Sequence, residues 1–128
     1  RARARAAAAR GGKAWLYRYG YVPDAAGGKA AGAGHDAEME MVFMNRDLRW
    51  PGPWSDADAA MARAVNGYWI NFARTGNPNG PGLPAWPAYS GEGDTLMGFG
   101  QAGAAAVQHF GKARLDAIDA TKGGTLGP

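Results

Sequence analysis

The chain has no cysteine and only 2 histidines among its 128 residues. Without a thiol there can be no disulfide, no thiolate zinc site and no cysteine nucleophile. No apolar stretch approaches the roughly 20 residues a membrane-spanning helix needs, so no membrane partner is expected. The opening "RARARAAAAR" has no apolar centre of the signal-peptide kind. The chain starts at Arg1 rather than methionine, which reads as a piece of something longer; the absence of a signal peptide here says little, and localisation stays open. Charge is also sparse. The formal net charge is +3, and Arg1, Arg3, Arg5 and Arg10 supply much of the excess. A nucleic-acid binder presents a basic face with interleaved aromatics. The 5 tryptophans lie away from the arginines, so no nucleic-acid partner is expected.

Glycine and proline are plentiful, at 21 and 8 residues, more than a helical bundle uses but short of a disordered composition. The length suits one domain with a modest core. Residues 1–12 read as a helix end of alanine and arginine, stopped by Gly11 and Gly12. In "AWLYRYGYV" (14–22) Trp15, Tyr17, Tyr19 and Tyr21 share one face, a period of two that predicts a strand. The loop 23–36 is too rich in glycine and alanine to pack as an element, and it delivers His35. "AEMEMVF" (37–43) allows one or two helical turns with Met39, Val42 and Phe43 inward, and 45–54 is an irregular crossing. The strongest element is the helix 55–75. Ser55 and Asp58 make a capping-box pattern, Met61, Val65, Tyr68, Trp69 and Phe72 form an apolar stripe, and Gly76 stops it. The proline-rich 77–89 should be pinned by Trp86 and Tyr89. A short strand, for which a sheet edge is one available place, is expected over 94–99, a helix over 109–120, and a frayed tail beyond. The order is α/β, but two strands cannot make an independent sheet. The pieces look like the end of a larger one.

The chemistry available is narrow. His35, Asp36, Glu38 and Glu40 lie close together, but they lack the HExxH spacing and fall short of a zinc ligand set, so no metal and no cofactor is expected. His109 sits at the edge of a weak helix and is given no role. A lone loop histidine reads first as solvated or bonded to backbone. The sharper alternative is a general base, held at one nitrogen by a carboxylate and facing a serine at the other. In α/β-hydrolases the chain order is serine, acid, histidine, and the histidine comes on a loop after a late strand. His35 has that placement, and the small residues around it let the loop fold over a site. No G-x-S-x-G elbow and no HGGG-type oxyanion loop occurs. Ser55 reads as a helix cap and Ser90 as a turn residue.

"AWLYRYGYVP", "GAGHDAEMEMVF" and "YWINFARTGNPNGPGLPAWPAY" follow one another as in the C-terminal end of type-B carboxylesterases. The chain resembles the cholinesterase and para-nitrobenzyl-esterase branch of that family over roughly residues 10–100. The resemblance implies the C-terminal portion of an α/β-hydrolase fold, incomplete on its own and completed by the missing N-terminal part of the same domain. It implies a serine carboxylesterase acting on small-molecule esters without a cofactor, with His35 as its catalytic histidine in a His-x-x-Glu setting. Glu38 then anchors the loop rather than serving as the triad acid, which lies upstream, and Trp69 and Phe72 are core. Gly34, Glu40 and Met44 depart from the family's usual residues. Some relatives have lost the nucleophile and act in binding or adhesion, which is the alternative reading. A free-standing interaction domain is a third, disfavoured by the apolar faces it would expose. The chain alone, lacking serine and oxyanion donors, is expected to be inactive.

Overall fold

Helix α3 (Asp56–Thr75) is built as its sequence dictates. Asp58 N–H donates to Ser55 Oγ at 3.1 Å, and Ser55 N–H donates to Asp58 Oδ2 at 3.1 Å, closing the capping box. At the other end Gly76, at φ +71°, turns the chain out of the helix, a conformation that costs glycine nothing. The stripe of α3 is graded. Met61, Val65 and Tyr68 are buried, Trp69 is partly buried, and Phe72 is 51% exposed. Phe72, expected in the core, lies at the open end of the stripe in this chain and packs edge-on against Trp15 at 5.8 Å.

The computed structural model describes residues 1–27, 30–46 and 52–121. Before α3 come helix α1 (Ala2–Ala9), strand β1 (Tyr17–Tyr19), a 3-10 turn (Asp24–Ala26) and the single-turn helix α2 (Met39–Val42). After it come β2 (Thr95–Gly100), β3 (Gly103–Gln108) and α4 (Lys112–Thr121). The strands form one sheet in the order β1-β2-β3. β1 runs parallel to β2, with Tyr17 opposite Met97 and Tyr19 opposite Phe99. β2 and β3 are antiparallel, with Thr95 opposite Gln108 and Gly100 opposite Gly103.

Several expectations are corrected. The strand expected over 14–22 keeps only three residues in ladder pairing, because its partner β2 meets it only from Met97 to Phe99. The strand expected over 94–99 is central rather than at an edge. β3 was missed altogether, since "GAAAVQ" carries almost none of the β-branched or aromatic residues that mark strands. It forms because Gly103, at φ +105°, closes a tight hairpin after Gln101 and Ala102. In α2 the buried residues are Glu40, Met41 and Val42, while Met39 and Phe43 are 38% and 66% exposed. A single turn has little freedom, and the Asn66 amide donating to Val42 O at 2.8 Å fixes its rotation against α3. The helix expected over 109–120 is α4, but Phe110, Leu115 and Ile118 are 38–41% exposed. The crossing 45–54 is described only in part, and the expected frayed tail beyond residue 121 lies outside the described residues.

The core lies between the sheet and α3. Phe99 of β2, 1% exposed, meets Tyr68 at 5.8 Å, Trp86 at 5.9 Å and Tyr17 at 6.1 Å between ring centroids. Trp86 ties the proline-rich crossing to β1 by donating from its indole to Leu16 O at 3.0 Å, and Tyr89 N–H donates to Ala14 O at 2.7 Å. Asn79 mimics a strand partner for Trp86, accepting its N–H at 2.7 Å and donating to its carbonyl at 2.9 Å. On the opposite flank Arg1 pairs with the buried Asp94 at 2.7 Å, holding α1 to the start of β2. Truncation of Phe99 to alanine is expected to lower the unfolding free energy of the intact protein by about 3–5 kcal/mol, measurable by urea denaturation.

Candidate functional site

His35 lies in a turn immediately before α2. Asp36 takes a left-handed conformation at φ +59°, which a short polar side chain tolerates better than most. This brings its carboxylate back onto the preceding imidazole, with His35 Nδ1 and Asp36 Oδ2 2.7 Å apart. Both side chains are open to solvent, the imidazole at 92% and the carboxylate at 63%. A pair so exposed adds little to stability. It sets the Asp36 carboxylate against Nδ1 and leaves Nε2 on the other edge of the ring.

Glu38 lies one turn further on, with Oε1 accepting from the Tyr17 hydroxyl at 3.0 Å. Tyr17 belongs to β1, so this bond ties the far end of the histidine loop to the sheet. The Tyr17 ring is held edge-on by Trp69 at 5.1 Å and Trp86 at 6.2 Å. Burial, and then the bond to Glu38, push the Tyr17 hydroxyl up to about 12.

The near end of the loop meets a second carboxylate. Asp58, fully buried in the first turn of α3, accepts from the Tyr21 hydroxyl at 2.7 Å and from the Asp24 N–H at 3.0 Å, both at Oδ1. Burial opposes its ionisation, but the donors Tyr21, Asp24 and Ser55 outweigh burial and hold the Asp58 carboxyl below its ordinary value. The capping motif identified Asp58 in the sequence, but nothing there marked Tyr21 and Asp24 as its partners. Tyr17 was likewise legible only as a strand residue.

Neither serine is placed as a nucleophile. Ser55 Oγ is committed to the cap and donates to Asp24 Oδ2 at 2.6 Å. Ser90 Oγ accepts from Gly93 N–H at 3.1 Å inside a turn. His109, at φ +54°, has Nδ1 3.9 Å from Asp94 Oδ2 and lies at the end of the β2–β3 hairpin. Among the described residues no three histidine or acidic side chains gather to hold a metal, and no helix is long and apolar enough to cross a membrane. Beside Tyr17 an open apolar cleft of about 210 Å³ is lined by Trp15, Tyr68, Trp69, Phe72 and Trp86.

Two pH responses follow. Between the ordinary tyrosine value of about 10 and its own value of about 12, Tyr17 keeps a proton in the native state that the unfolded chain has lost. Its contribution is full below that window and falls as pH rises through it. The Tyr17→Phe variant should therefore lose less stability over the same alkaline range, as read by thermal melting. Asp58 is the opposite case. Its contribution is present above about pH 4 and lost as pH falls further, so the melting-temperature gap between wild type and Asp58→Asn should narrow in acid.

A sequence model of the carboxylesterase family matches residues 1–118. Among curated relatives, the medium-chain fatty acyl-CoA hydrolase precursor of Anas platyrhynchos is 38% identical over 82 residues, which are 62% of this chain and 14% of that protein. Carboxylesterase 1E of Rattus norvegicus is 34% identical over 101 residues, 77% of this chain and 17% of that one. Among solved structures, the Geobacillus stearothermophilus carboxylesterase EST55 superposes with a TM-score of 0.67 at 34% identity, covering 88% of this chain and 23% of its own. A PNB esterase gives 0.66 at 25% identity, covering 82% and 21%. The chain thus spans about a seventh of the curated relatives it matches and under a quarter of the solved ones. Its three-stranded sheet and flanking helices are part of an α/β-hydrolase fold, and the chain belongs to the carboxylesterase family.

Proposed function

We propose that the full protein hydrolyses carboxylic esters through a serine–histidine–acid triad, and that this chain supplies the general base, His35. The observation that carries the reading is the placement of His35 in a member of this family. Its imidazole is solvent-facing, and its loop is tied to β1 and to α3.

In the proposed cycle Nε2 takes the proton from a serine hydroxyl as its oxygen attacks the ester carbonyl. The imidazolium then gives that proton to the departing alcohol, leaving an acyl-enzyme. In the second half Nε2 takes a proton from water as the hydroxide attacks the acyl carbonyl, and returns it to the serine oxygen as the acid leaves. The serine, the oxyanion donors and the triad acid come from outside these 128 residues, with the acid taking the Nδ1 side that Asp36 occupies here. The aromatic cleft supports the same view. Phe72, on the wall of that cleft, is 51% exposed. Covering such a face is a task for the rest of the domain.

The full-length protein should hydrolyse a short-chain nitrophenyl ester, and His35→Ala should lower its turnover by roughly ten-thousand-fold or more, since triad members act as a unit. Turnover within tenfold of wild type would remove His35 from the mechanism. The isolated chain should take up no serine-directed fluorophosphonate, a result readable by mass spectrometry.

A further inference from the structure

Asp58 does more than a helix cap requires. The capping box uses Oδ2, which accepts from Ser55 N–H, and the Asp58 N–H, which donates to Ser55 Oγ. Its Oδ1 is spent elsewhere, on the Tyr21 hydroxyl at the end of the β1 segment and on the Asp24 N–H at the start of the histidine loop. Ser55 adds to the same joint by donating to Asp24 Oδ2. A fully buried carboxylate is costly unless its lone pairs are met, and here one donor comes from the cap, one from the β1 segment and one from the start of the loop. Further along α3, Asn66 holds Val42 O, just beyond the loop's other end. One rigid helix of 20 residues thus grips the polypeptide on both sides of His35.

We propose that Asp58 is a positioning residue for His35. It fixes where the loop leaves the sheet, so that the reach of the imidazole is set by α3 rather than by the glycine- and alanine-rich segment that carries it. This rests on the reading of His35 as general base. A loop of such residues has many accessible conformations, and a general base works only within hydrogen-bond distance of its proton. The joint removes that freedom at the loop's origin.

The test uses the full-length protein and four variants. Asp58→Ala removes both Oδ1 bonds. Asp58→Asn keeps an acceptor there without the charge. Tyr21→Phe breaks the link to β1 and leaves the cap intact. Asp56→Asn removes an exposed charge from the same helix turn as a control. Hydrogen exchange is followed at the Asp24, Ala26 and Gly27 amides, and kcat and KM are measured per site titrated with fluorophosphonate. In Asp58→Ala the Asp24 amide should exchange at least about tenfold faster, and kcat should fall roughly ten- to hundredfold at nearly constant KM, the scale expected for a misplaced catalytic group. Asp58→Asn should recover most of that loss, Tyr21→Phe should show a smaller shift in the same direction, and Asp56→Asn should show none. Should Asp58→Ala fail to fold, Tyr21→Phe carries the decision. Unchanged exchange at Asp24 in both variants overturns the proposal. So does an unchanged kcat per titrated site with only a lower melting temperature, which would make Asp58 a cap and nothing more. A wild type that takes up no label counts against the esterase reading instead, and exchange at Asp24 then decides the joint by itself.

Discussion

Phe99 stands where every layer of the molecule meets. It lies on the central strand with its ring toward α3, and Tyr17, Tyr68, Trp69 and Trp86 gather around it with centroids between 5.8 and 6.2 Å away. Aromatic pairs in such edge-on and tilted contacts add about 0.5–1.5 kcal/mol each beyond the area they bury. Geometry matters as much as energy here. β1 is only three residues long and would have little hold on the sheet by hydrogen bonding alone. Its tyrosines are held in place because the rings they touch belong to β2, α3 and the proline-rich crossing at once.

That packing gives the histidine loop a fixed frame. The two carboxylates that receive the loop, Asp58 at its start and Glu38 at its end, are themselves held by tyrosines of the β1 segment, Tyr21 and Tyr17. The segment therefore serves the loop twice, with alternate side chains on one face reaching opposite ends of it. The outer flank is held differently. Arg1 and the buried Asp94 join α1 to β2, while α4 carries no buried residue at all.

The proline-rich crossing shows how a segment without regular structure becomes rigid. Asn77, Asn79 and Thr75 satisfy its main chain in place of a ladder, and the buried Trp86 anchors it between Tyr68 and β1. The carbonyls of Pro78 and Pro84 accept from side chains of α3. Tyr68 donates to Pro84 O at 2.5 Å and Asn71 to Pro78 O at 3.1 Å.

By itself the sequence determined the elements whose signals are local. The 3.6-residue period and caps of α3 specify that helix with no help from the rest of the chain, and the period-two run of aromatics specifies the face of β1. The glycine setting of His35 and the motifs at 14–23, 32–43 and 68–89 carried the family resemblance, and with it the α/β-hydrolase class. Tertiary structure alone decided the rest. β3 has a single strand-forming side chain, Val107, so it depends on the edge that β2 offers it. The rotation of α2 was set by contact with α3, because a single turn is too short for periodicity to specify a face. The partners of Asp58 and Glu38 lie 37 and 21 residues away in the chain. A local pattern can mark a carboxylate as a cap, but which distant hydroxyl it receives is settled only when the sheet and helix close on each other.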